Sequence, residues 1–285
     1  MRIARSSCAE RRSPDGVPAS VLVHRGDGPP RPRAYTRAMR VTVAMGAFNE
    51  APNVAIVVTD ALSAIAETGG DGEVLVVDDG STDGTSAIVD GLMARDTRVR
   101  AVHHATNRGF SGAMTTALRE ARGDWIFLGP ADGQFDMHDL VRFLDESAHA
   151  DIVVGVRARR PERMGRVVLS RAFHAITKFL FPLPLEEFSS IFLFRRSLID
   201  SMTIRSRPRT ATVLPEVLYR AKVRGARFTQ LRIEARPRMA GEAKGGRISV
   251  AVFTLLELVR LAPLVRWDEM RSPRRARVPA GSPQK

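Results

Sequence analysis

Short apolar segments alternate with longer segments of helical spacing throughout residues 41–156. The apolar segments are rich in β-branched residues, which predicts five strands, at 41–45, 73–77, 99–103, 125–128 and 151–156. The segments between them repeat apolar residues every three or four positions, which predicts four helices, at 53–67, 82–95, 109–122 and 137–147. Strands that are joined through helices form a parallel sheet with helices on both faces. The alternation therefore predicts an α/β fold of a nucleotide-binding type.

Charge is distributed unevenly along this chain of 285 residues, which has a net charge of +13. Residues 1–40 carry +6 and residues 271–285 carry +5, whereas residues 41–154 carry −11 and residues 155–270 carry +13. An acidic half suits a nucleotide that arrives with a cation, and a basic half suits phosphates or an anionic membrane surface. The pattern is not a uniform basic stripe for DNA, so no specific nucleic-acid partner is expected.

The two ends of the chain lack apolar periodicity. Residues 1–40 and 271–285 are rich in proline and arginine, and we predict that both are disordered basic tails. Periodic sequence begins directly after Met39, which makes that residue an alternative start of the protein. Residues 41–270 are expected to form one domain whose two halves divide after residue 154.

Cysteine content and hydropathy indicate the cellular compartment in which the protein is expected. Cys8 is the single cysteine, so the chain cannot form an intramolecular disulfide, and a reducing compartment is expected. No uncharged apolar run is long enough to span a bilayer, and no apolar segment follows Arg11 and Arg12 as a signal peptide would require. We therefore expect the protein in the cytoplasm.

Polar loops follow four of the predicted strands, at 46–50, 78–85, 107–112 and 129–134. In an open parallel sheet, ligands bind beyond the carboxyl ends of the strands, so these loops predict a binding cleft. Each loop alone also fits an ordinary turn or helix cap. Asp132 and Gln134 are hard oxygen ligands two positions apart, which suits Mg²⁺ or Mn²⁺ on a diphosphate but also fits a surface turn.

Together the four loops resemble the motifs of the family 2 glycosyltransferases of GT-A fold, and among them the dolichyl- or polyprenyl-phosphate mannose or glucose synthases. Residues 47–50 match the family's Ala-Tyr-Asn-Glu loop, and residues 77–85 match its Val-Asp-Asp-Gly-Ser-Thr-Asp-Gly-Thr segment. Residues 107–112 match its Asn-x-Gly loop, and residues 131–134 match the end of its Asp-Ala-Asp-Gly-Gln metal motif. The similarity continues at 154–157, 170–171, 193–196 and 238–244, so it covers about residues 41–265.

The resemblance implies an inverting glycosyltransferase that moves a hexose, mannose or glucose, from a GDP- or UDP-sugar to a polyprenyl phosphate with the help of Mg²⁺ or Mn²⁺. It assigns six residues to the nucleotide: Asn49, Glu50, Asp78, Asp79, Asn107 and Gly109. It assigns the metal to Asp132 and Gln134, and the acceptor phosphate to Arg157, Arg171, Arg238 and Lys244. Asp132, Arg157 and Glu186 are the candidates for catalysis.

Three positions depart from the family pattern. Pro130 replaces the first Asp of the metal motif, Gly46 replaces a Pro, and residues 186–190 replace an Asp-x-x-x-Gly segment with Glu186, Glu187 and two serines. A phosphate acceptor is already an anion at neutral pH and needs no general base, whereas a hydroxyl acceptor needs a carboxylate such as Glu186 or Glu187. Two alternatives therefore stay open, a transferase for a soluble hydroxyl acceptor and a nucleotide-sugar-binding protein without turnover, which Pro130 would favour.

Two segments of the second half, 164–185 and 250–267, combine basic, apolar and aromatic residues at helical spacing. Such amphipathic helices lie on membrane surfaces, although a core-facing helix with a charged outer side has the same pattern. We expect a peripheral protein at the inner face of the membrane, with a separate membrane partner as a possibility. The neighbouring His103 and His104 are expected to be structural or solvent-facing rather than metal ligands.

Overall fold

The computed structural model describes residues 21–24, 40–158, 173–188, 190–238 and 248–271 of the chain. These residues form an eight-stranded sheet in the order β1-β8-β6-β7-β5-β2-β3-β4. The strands are β1 (Val21–His24), β2 (Val41–Ala47), β3 (Gly72–Asp78), β4 (Val99–His103), β5 (Trp125–Pro130), β6 (Ile152–Arg157), β7 (Phe192–Arg195) and β8 (Phe228–Ile233). Only β7, among these strands, is antiparallel to its neighbours, which are β5 and β6. The prediction of a mostly parallel α/β sheet is confirmed, and so are its five predicted strands.

Helices cover both faces of this sheet. They are α1 (Val54–Glu67), α2 (Thr85–Arg95), α3 (Gly109–Glu120), α4 (Asp139–Asp145) with a 3-10 turn at Glu146–Ala148, α5 (residues 173–180), α6 (Arg196–Asp200), α7 (Val213–Val223) and α8 (Ile248–Arg271). The four predicted helices are present as α1 to α4. Helix α2 begins later than predicted because Gly84, at a φ of 93°, is not helical. Helix α3 ends at Glu120 because Ala121 has an extended backbone.

The core has two layers, one on each face of the sheet. On β2, Val41, Val43 and Met45 pack into the layer that contains α1 and α4, whereas Ala44 packs into the layer that contains α3, α7 and α8. A strand that is buried on both faces is apolar at every position instead of at alternate ones. This is why the central strands appear in the sequence as continuous apolar runs.

Strand β7 places the second half of the chain against the first. It lies between β5 and β6 and pairs Phe192 with Leu128 of β5 and with Val154 of β6. Because both of its pairings are antiparallel, β6 and β5 run in the same direction. The carboxyl ends of β2, β3, β5 and β6 therefore meet at one edge of the sheet, and the polar loops lie there.

The structure differs from the sequence-based expectation in the first segment. Strand β1 lies inside residues 1–40, which the composition predicts to be disordered, and it pairs in parallel with β8, Val21 opposite Phe228. Its apolar run Val21-Leu22-Val23 suits pairing with an exposed sheet edge. The remaining residues of that segment, apart from Arg40, and the tail from residue 272 onwards lie outside the described residues.

The structure describes the two amphipathic segments to different extents. Of 164–185, the described part begins at residue 173 and forms α5, with Phe173, Ile176 and Leu180 packed on the core and Phe179 exposed. Segment 250–267 lies within α8. Among the described residues, no helix has the length and apolar character to cross a bilayer.

Candidate active site

The loops after β2 and β3 are joined to each other by hydrogen bonds. The Asn49 N–H donates to Ser81 Oγ at 2.9 Å, and the Thr82 N–H donates to Asn49 Oδ1 at 2.8 Å. Asn49 has a φ of 52°, a left-handed conformation that asparagine tolerates better than most residues. The Glu50 N–H donates to Thr85 Oγ1 at 2.9 Å. Two loops that the sequence predicted separately therefore form one wall of the cleft.

Asp78 is buried at the end of β3 and is held by the chain itself. Its Oδ1 accepts the Ser81 N–H at 3.1 Å, and its Oδ2 accepts the Ser86 hydroxyl and lies 2.9 Å from His103 Nδ1. Burial raises the pKa of the Asp78 carboxyl, but the hydrogen bonds from Ser81, Ser86 and His103 outweigh burial, and the pKa is lowered. Asp78 thus stabilises the loop that it begins, and its predicted contact with the nucleotide stays a prediction.

Asp79 connects β3 to the start of α3. Its two oxygens accept the N–H groups of Arg108 and Gly109, each at 2.8 Å, and Oδ1 also lies 2.7 Å from His104 Nδ1. Gly109 has a φ of 73°, and a Cβ there would lie 2.5 Å from Arg209 Cα. The loop 107–109 is thereby positioned beside residues 78–79, as the predicted nucleotide site requires.

The histidine pair beside these acids is a feature that the sequence analysis did not recognise as part of the site. His103 lies opposite Asp78 in the register of β3 and β4, and His104 follows opposite Asp79. The His104 side chain is buried and its Nε2 lies 3.0 Å from Thr116 Oγ1. Burial lowers the pKa of His103, but the nearby Asp78 and Asp90 outweigh burial and raise it. Each histidine pairs with one of the two acids, and two adjacent acids beside two adjacent histidines on neighbouring strands were the available signal.

Arg238 joins two buried acids of the loops after β2 and β5. Its guanidinium donates to Glu50 Oε1 at 3.0 Å and to Asp132 Oδ2 at 2.9 Å, and both carboxylates are buried. Asn53, which the sequence analysis did not assign to the site, donates to Glu50 Oε2 at 2.7 Å. The chain reaches this position after β8 because the Arg236 N–H donates to the carbonyl oxygen of Gln134 at 2.8 Å. A residue predicted for the acceptor phosphate therefore contacts the predicted metal ligand.

The environment of Asp132 suits a cation. Burial raises the pKa of Asp132 above its ordinary value of 3.8, and the Glu50 carboxylate raises it further, whereas the Gln134 N–H and Arg238 oppose the shift. The described residues hold no group of three or more acidic, histidine or cysteine side chains that could bind a metal alone. Mg²⁺ commonly uses one or two protein carboxylates together with substrate phosphates. Asp132 therefore fits a divalent ion that arrives with a diphosphate, even though Pro130 supplies no second carboxylate.

Glu186 and Glu187 have different environments. Glu187 is buried, and its Oε1 accepts from Arg157 Nε at 2.8 Å while its Oε2 accepts the Arg157 N–H at 3.1 Å. The Glu186 side chain is 45% exposed and pairs with Arg232. Glu186 was the residue predicted for catalysis, but it is Glu187 that holds a predicted site residue, Arg157, at the carboxyl end of β6. The predicted acceptor residues Arg171 and Lys244 lie outside the described residues.

Comparisons with known proteins identify relatives of this chain. A family model described as glycosyl transferase family 2 matches residues 42–203. An undecaprenyl-phosphate mannosyltransferase of Micrococcus luteus is 27% identical over 248 residues, which are 82% of this chain and 98% of the relative. A polyprenol monophosphomannose synthase of Mycolicibacterium smegmatis is 26% identical over 241 residues, which are 79% of this chain and 89% of the relative.

Solved structures show the same fold at lower identity. Glucosyl-3-phosphoglycerate synthase of Mycobacterium tuberculosis, in complex with phosphoglyceric acid, superposes with a TM-score of 0.62 at 16% identity and covers 79% of this chain and 80% of its own. A mannosyltransferase from Pyrobaculum calidifontis in complex with GDP-Man and Mn²⁺ superposes with a TM-score of 0.54 at 22% identity, over 85% of this chain and 72% of its own. Both are GT-A glycosyltransferases, and complexes of the first contain Mn²⁺ or Mg²⁺ with UDP.

The motifs, the sheet edge at which they meet and the family match agree with one another. The matched residues 42–203 include β2 to β7 and the loops that carry Glu50, Asp79, Asp132 and Arg157. The chain therefore belongs to glycosyl transferase family 2 and is a glycosyltransferase of GT-A fold.

Proposed function

We propose that this glycosyltransferase moves a hexose, mannose, from a nucleoside diphosphate sugar to a polyprenyl phosphate, with inversion at the anomeric carbon. The observation that carries the proposal is the pair of the buried Glu187 with Arg157, which provides a fixed guanidinium at the sheet edge that also carries Asp132. The name of the Micrococcus relative specifies undecaprenyl phosphate and mannose, and the name of the Mycolicibacterium relative specifies polyprenol monophosphomannose as its product. Both names support the choice of substrates.

Arg157 is suited to bind the acceptor phosphate. Its guanidinium is oriented by Glu187 through Nε, and its backbone N–H donates to the same carboxylate. A guanidinium has five N–H donors in one plane, so one that a carboxylate holds in place retains a geometry that fits phosphate. Pre-oriented donors save the entropy that a mobile arginine would lose on binding.

The acceptor phosphate itself supplies the nucleophile. Its second pKa is near 6, so one of its oxygens attacks the anomeric carbon as an anion at neutral pH. Glu187 accepts from Arg157 on both of its oxygens, so its described contacts are those of a positioning residue and not of a general base. Glu186 pairs with Arg232 and is nearly half exposed. This arrangement favours a phosphate acceptor over a hydroxyl acceptor.

Residues 41–154 bind the nucleoside diphosphate of the donor and its cation. We propose that Asp132 holds a Mg²⁺ or Mn²⁺ ion on the diphosphate, with Gln134 beside it. When bound, this ion neutralises the charge that develops on the leaving diphosphate. Asn49, Glu50, Asp79, Asn107 and Gly109 surround the position of the nucleotide, and Asn49 and Asp79 connect the loops so that the cleft is formed before the donor binds.

We also propose that the enzyme works peripherally at the inner face of the membrane. Helix α8 exposes Phe253, Leu256, Val259, Trp267 and Met270, and Phe179 of α5 is exposed as well. Arg266 connects the two helices by donating to the Leu180 carbonyl oxygen at 2.6 Å. A polyprenyl phosphate is confined to a bilayer, so its enzyme needs an apolar surface of this kind or a partner that provides one.

A transfer assay tests the proposal. The purified protein would be incubated with Mn²⁺, labelled GDP-mannose or UDP-glucose and a short-chain polyprenyl phosphate, and the product extracted into organic solvent. We expect label in the organic phase with one donor, its loss in EDTA, and its loss in Asp132→Asn and Arg157→Gln.

Arg232→Gln is the matched control, because it removes one positive charge from the exposed Glu186–Arg232 pair next to the site. It should retain activity within about twofold, as expected for an exposed ion pair. Absence of transfer with both donors, combined with a nucleotide-dependent rise in melting temperature, would contradict the lipid-phosphate acceptor. A soluble acceptor or a protein without turnover would then be the better account.

A further inference from the structure

Arg238 contacts the carboxylate of Asp132 that a divalent ion would use. Asp132 Oδ2 accepts from the Arg238 guanidinium at 2.9 Å, and Oδ1 accepts the Gln134 N–H at 3.1 Å. The same guanidinium donates to Glu50 at 3.0 Å. A metal ion that binds Asp132 Oδ2 competes with this contact, because the ion and the guanidinium are both cations attracted to the same oxygen.

The two carboxylates need a neighbouring cation if both are to stay ionised. Asp132 and Glu50 are both more than nine-tenths buried. Two buried carboxylates that share one site cannot both stay ionised unless a positive charge lies between them. Arg238 provides that charge in the arrangement described here.

We propose that Arg238 is an exchangeable cation, which neutralises Asp132 and Glu50 while no donor is bound and leaves Asp132 when the donor arrives with its metal ion. This inference rests on the proposed metal-assisted function and adds an exchange of cations at Asp132 to it. The Arg238 guanidinium becomes available to a phosphate only after its release from Asp132.

Metal binding, measured without any sugar transfer, tests the exchange. The full chain would be titrated with Mn²⁺ in saturating GDP or UDP, and free Mn²⁺ followed by electron paramagnetic resonance. Arg238→Gln removes the competing cation, so we expect its Mn²⁺ affinity to exceed that of the wild type by about tenfold, equivalent to about 1.4 kcal/mol. In the double variant that combines Asp132→Asn with Arg238→Gln, the Mn²⁺ affinity should not exceed that of the wild type.

Arg236→Gln is the matched control. It removes the same charge from the same segment, but Arg236 pairs with Asp136 and not with Asp132. Its Mn²⁺ affinity should stay within about twofold of the wild type, because an exposed pair contributes little. Arg238→Lys keeps the charge but lacks the planar guanidinium that donates to both carboxylates. Its affinity for Mn²⁺ should therefore lie between that of the wild type and that of Arg238→Gln. It also keeps the test valid if Arg238→Gln unfolds.

The outcomes separate this inference from the proposed function. Mn²⁺ affinity that is unchanged or lower in both Arg238 variants, an equal gain in Arg236→Gln, or no Mn²⁺ binding by any variant would overturn the exchange. Tighter Mn²⁺ binding by Arg238→Gln in an enzyme that transfers no sugar to polyprenyl phosphate would support the exchange and contradict the proposed acceptor.

Discussion

Two neighbouring glutamates show how closely position decides the role of a residue. Glu186 and Glu187 are chemically identical, yet Glu187 is buried against Arg157 while Glu186 pairs with Arg232 at the surface. The local sequence contains no signal that separates them, because the separation depends on contacts with β6 and β8, which are distant in sequence. Only the three-dimensional structure identifies Glu187 as the one that positions Arg157.

Replacing each glutamate by glutamine tests this difference. Glu187→Gln removes the charge that orients Arg157, and a charged hydrogen bond contributes about 1.5–3 kcal/mol, so kcat/KM for the acceptor should fall by about tenfold or more. The loss should appear mainly in the KM for the acceptor, with the KM for the donor unchanged. Glu186→Gln should change neither by more than about twofold. Equal losses in the two variants would contradict this difference. An acid limb in the pH profile of kcat that the wild type shows and Glu187→Gln loses would favour a general base.

The contact between His103 and Asp78 predicts a pH dependence of stability. The pKa of His103 is raised above 6.5 in the folded state, so its contribution to stability is complete below pH 6.5 and is lost as the pH rises through the raised value. His103→Gln should therefore reduce the free energy of unfolding at about pH 5.5 more than at about pH 9. Urea unfolding at the two pH values measures this. His149→Gln, at an exposed histidine, is the control, and a His103→Gln effect that does not change with pH would contradict the prediction.

At the scale of elements, a buried ion network attaches α8 to α7. Arg220 of α7 is 1% exposed and donates to Glu216 of its own helix and to Asp268 and Glu269 of α8. Arg224 adds a second bond to Glu269 at 2.9 Å. Because α8 supplies Leu258, Leu261 and Val265 to the core, this network determines how the helix lies on the domain. Its exposed apolar side then faces away from the sheet.

Arg220→Ala tests how much this network contributes. Removing one partner from a buried ion network leaves uncompensated charges and costs about 3–5 kcal/mol, so the free energy of unfolding in urea should fall by that amount. Arg196→Ala is the control, because Arg196 forms an exposed i,i+4 pair with Asp200 and should cost about 0.5 kcal/mol or less. Similar effects for the two variants would show that the network does not stabilise the fold.

The exposed side of α8 carries a prediction about membranes. Leu256 and Trp267 are 64% and 50% exposed, so replacing both by glutamine should leave stability nearly unchanged. Binding to vesicles of anionic lipid, measured by sedimentation, should weaken by about a hundredfold or more, because each of the two large apolar side chains contributes about 1.5–3 kcal/mol when it is buried. Ile56 and Met93 are exposed on α1 and α2, and their double glutamine variant is the control. Equal binding by both double variants would assign the membrane contact to another surface.

At the scale of the whole molecule, the first half of the fold could be predicted from sequence and the second half only in part. Strands β2 to β6 alternate with helices, and the burial of β2, β3, β5 and β6 on both faces produces the apolar runs that identify them. Strand β7 reverses direction, and nothing in the sequence 192–195 indicates that it inserts between β5 and β6. Strand β1 was missed because a short apolar run is surrounded by residues typical of disorder.

The candidate site, like the fold, could be predicted from the sequence only in part. Motifs on consecutive loops identified Asn49, Asp79 and Asp132, because short-range spacing determines how those loops are built. The Arg238 contacts with Glu50 and Asp132 join residues that are 188 and 106 positions apart, and such contacts have no local pattern. The predicted acceptor half of the site depends on contacts of this kind, so the sequence predicted candidate residues for it but not their arrangement.

The central claim is that the acceptor is a phosphate and that it attacks without a general base. The most direct test is a comparison of two acceptors of equal chain length, a polyprenyl phosphate and the corresponding polyprenol, with the same labelled donor and Mn²⁺. The account predicts label transfer to the phosphate and none to the alcohol, with kcat independent of Glu186. Transfer to the alcohol at a comparable rate would contradict it, since a hydroxyl requires a general base, and the contacts described for Glu186 and Glu187 are those of ion pairs with Arg232 and Arg157.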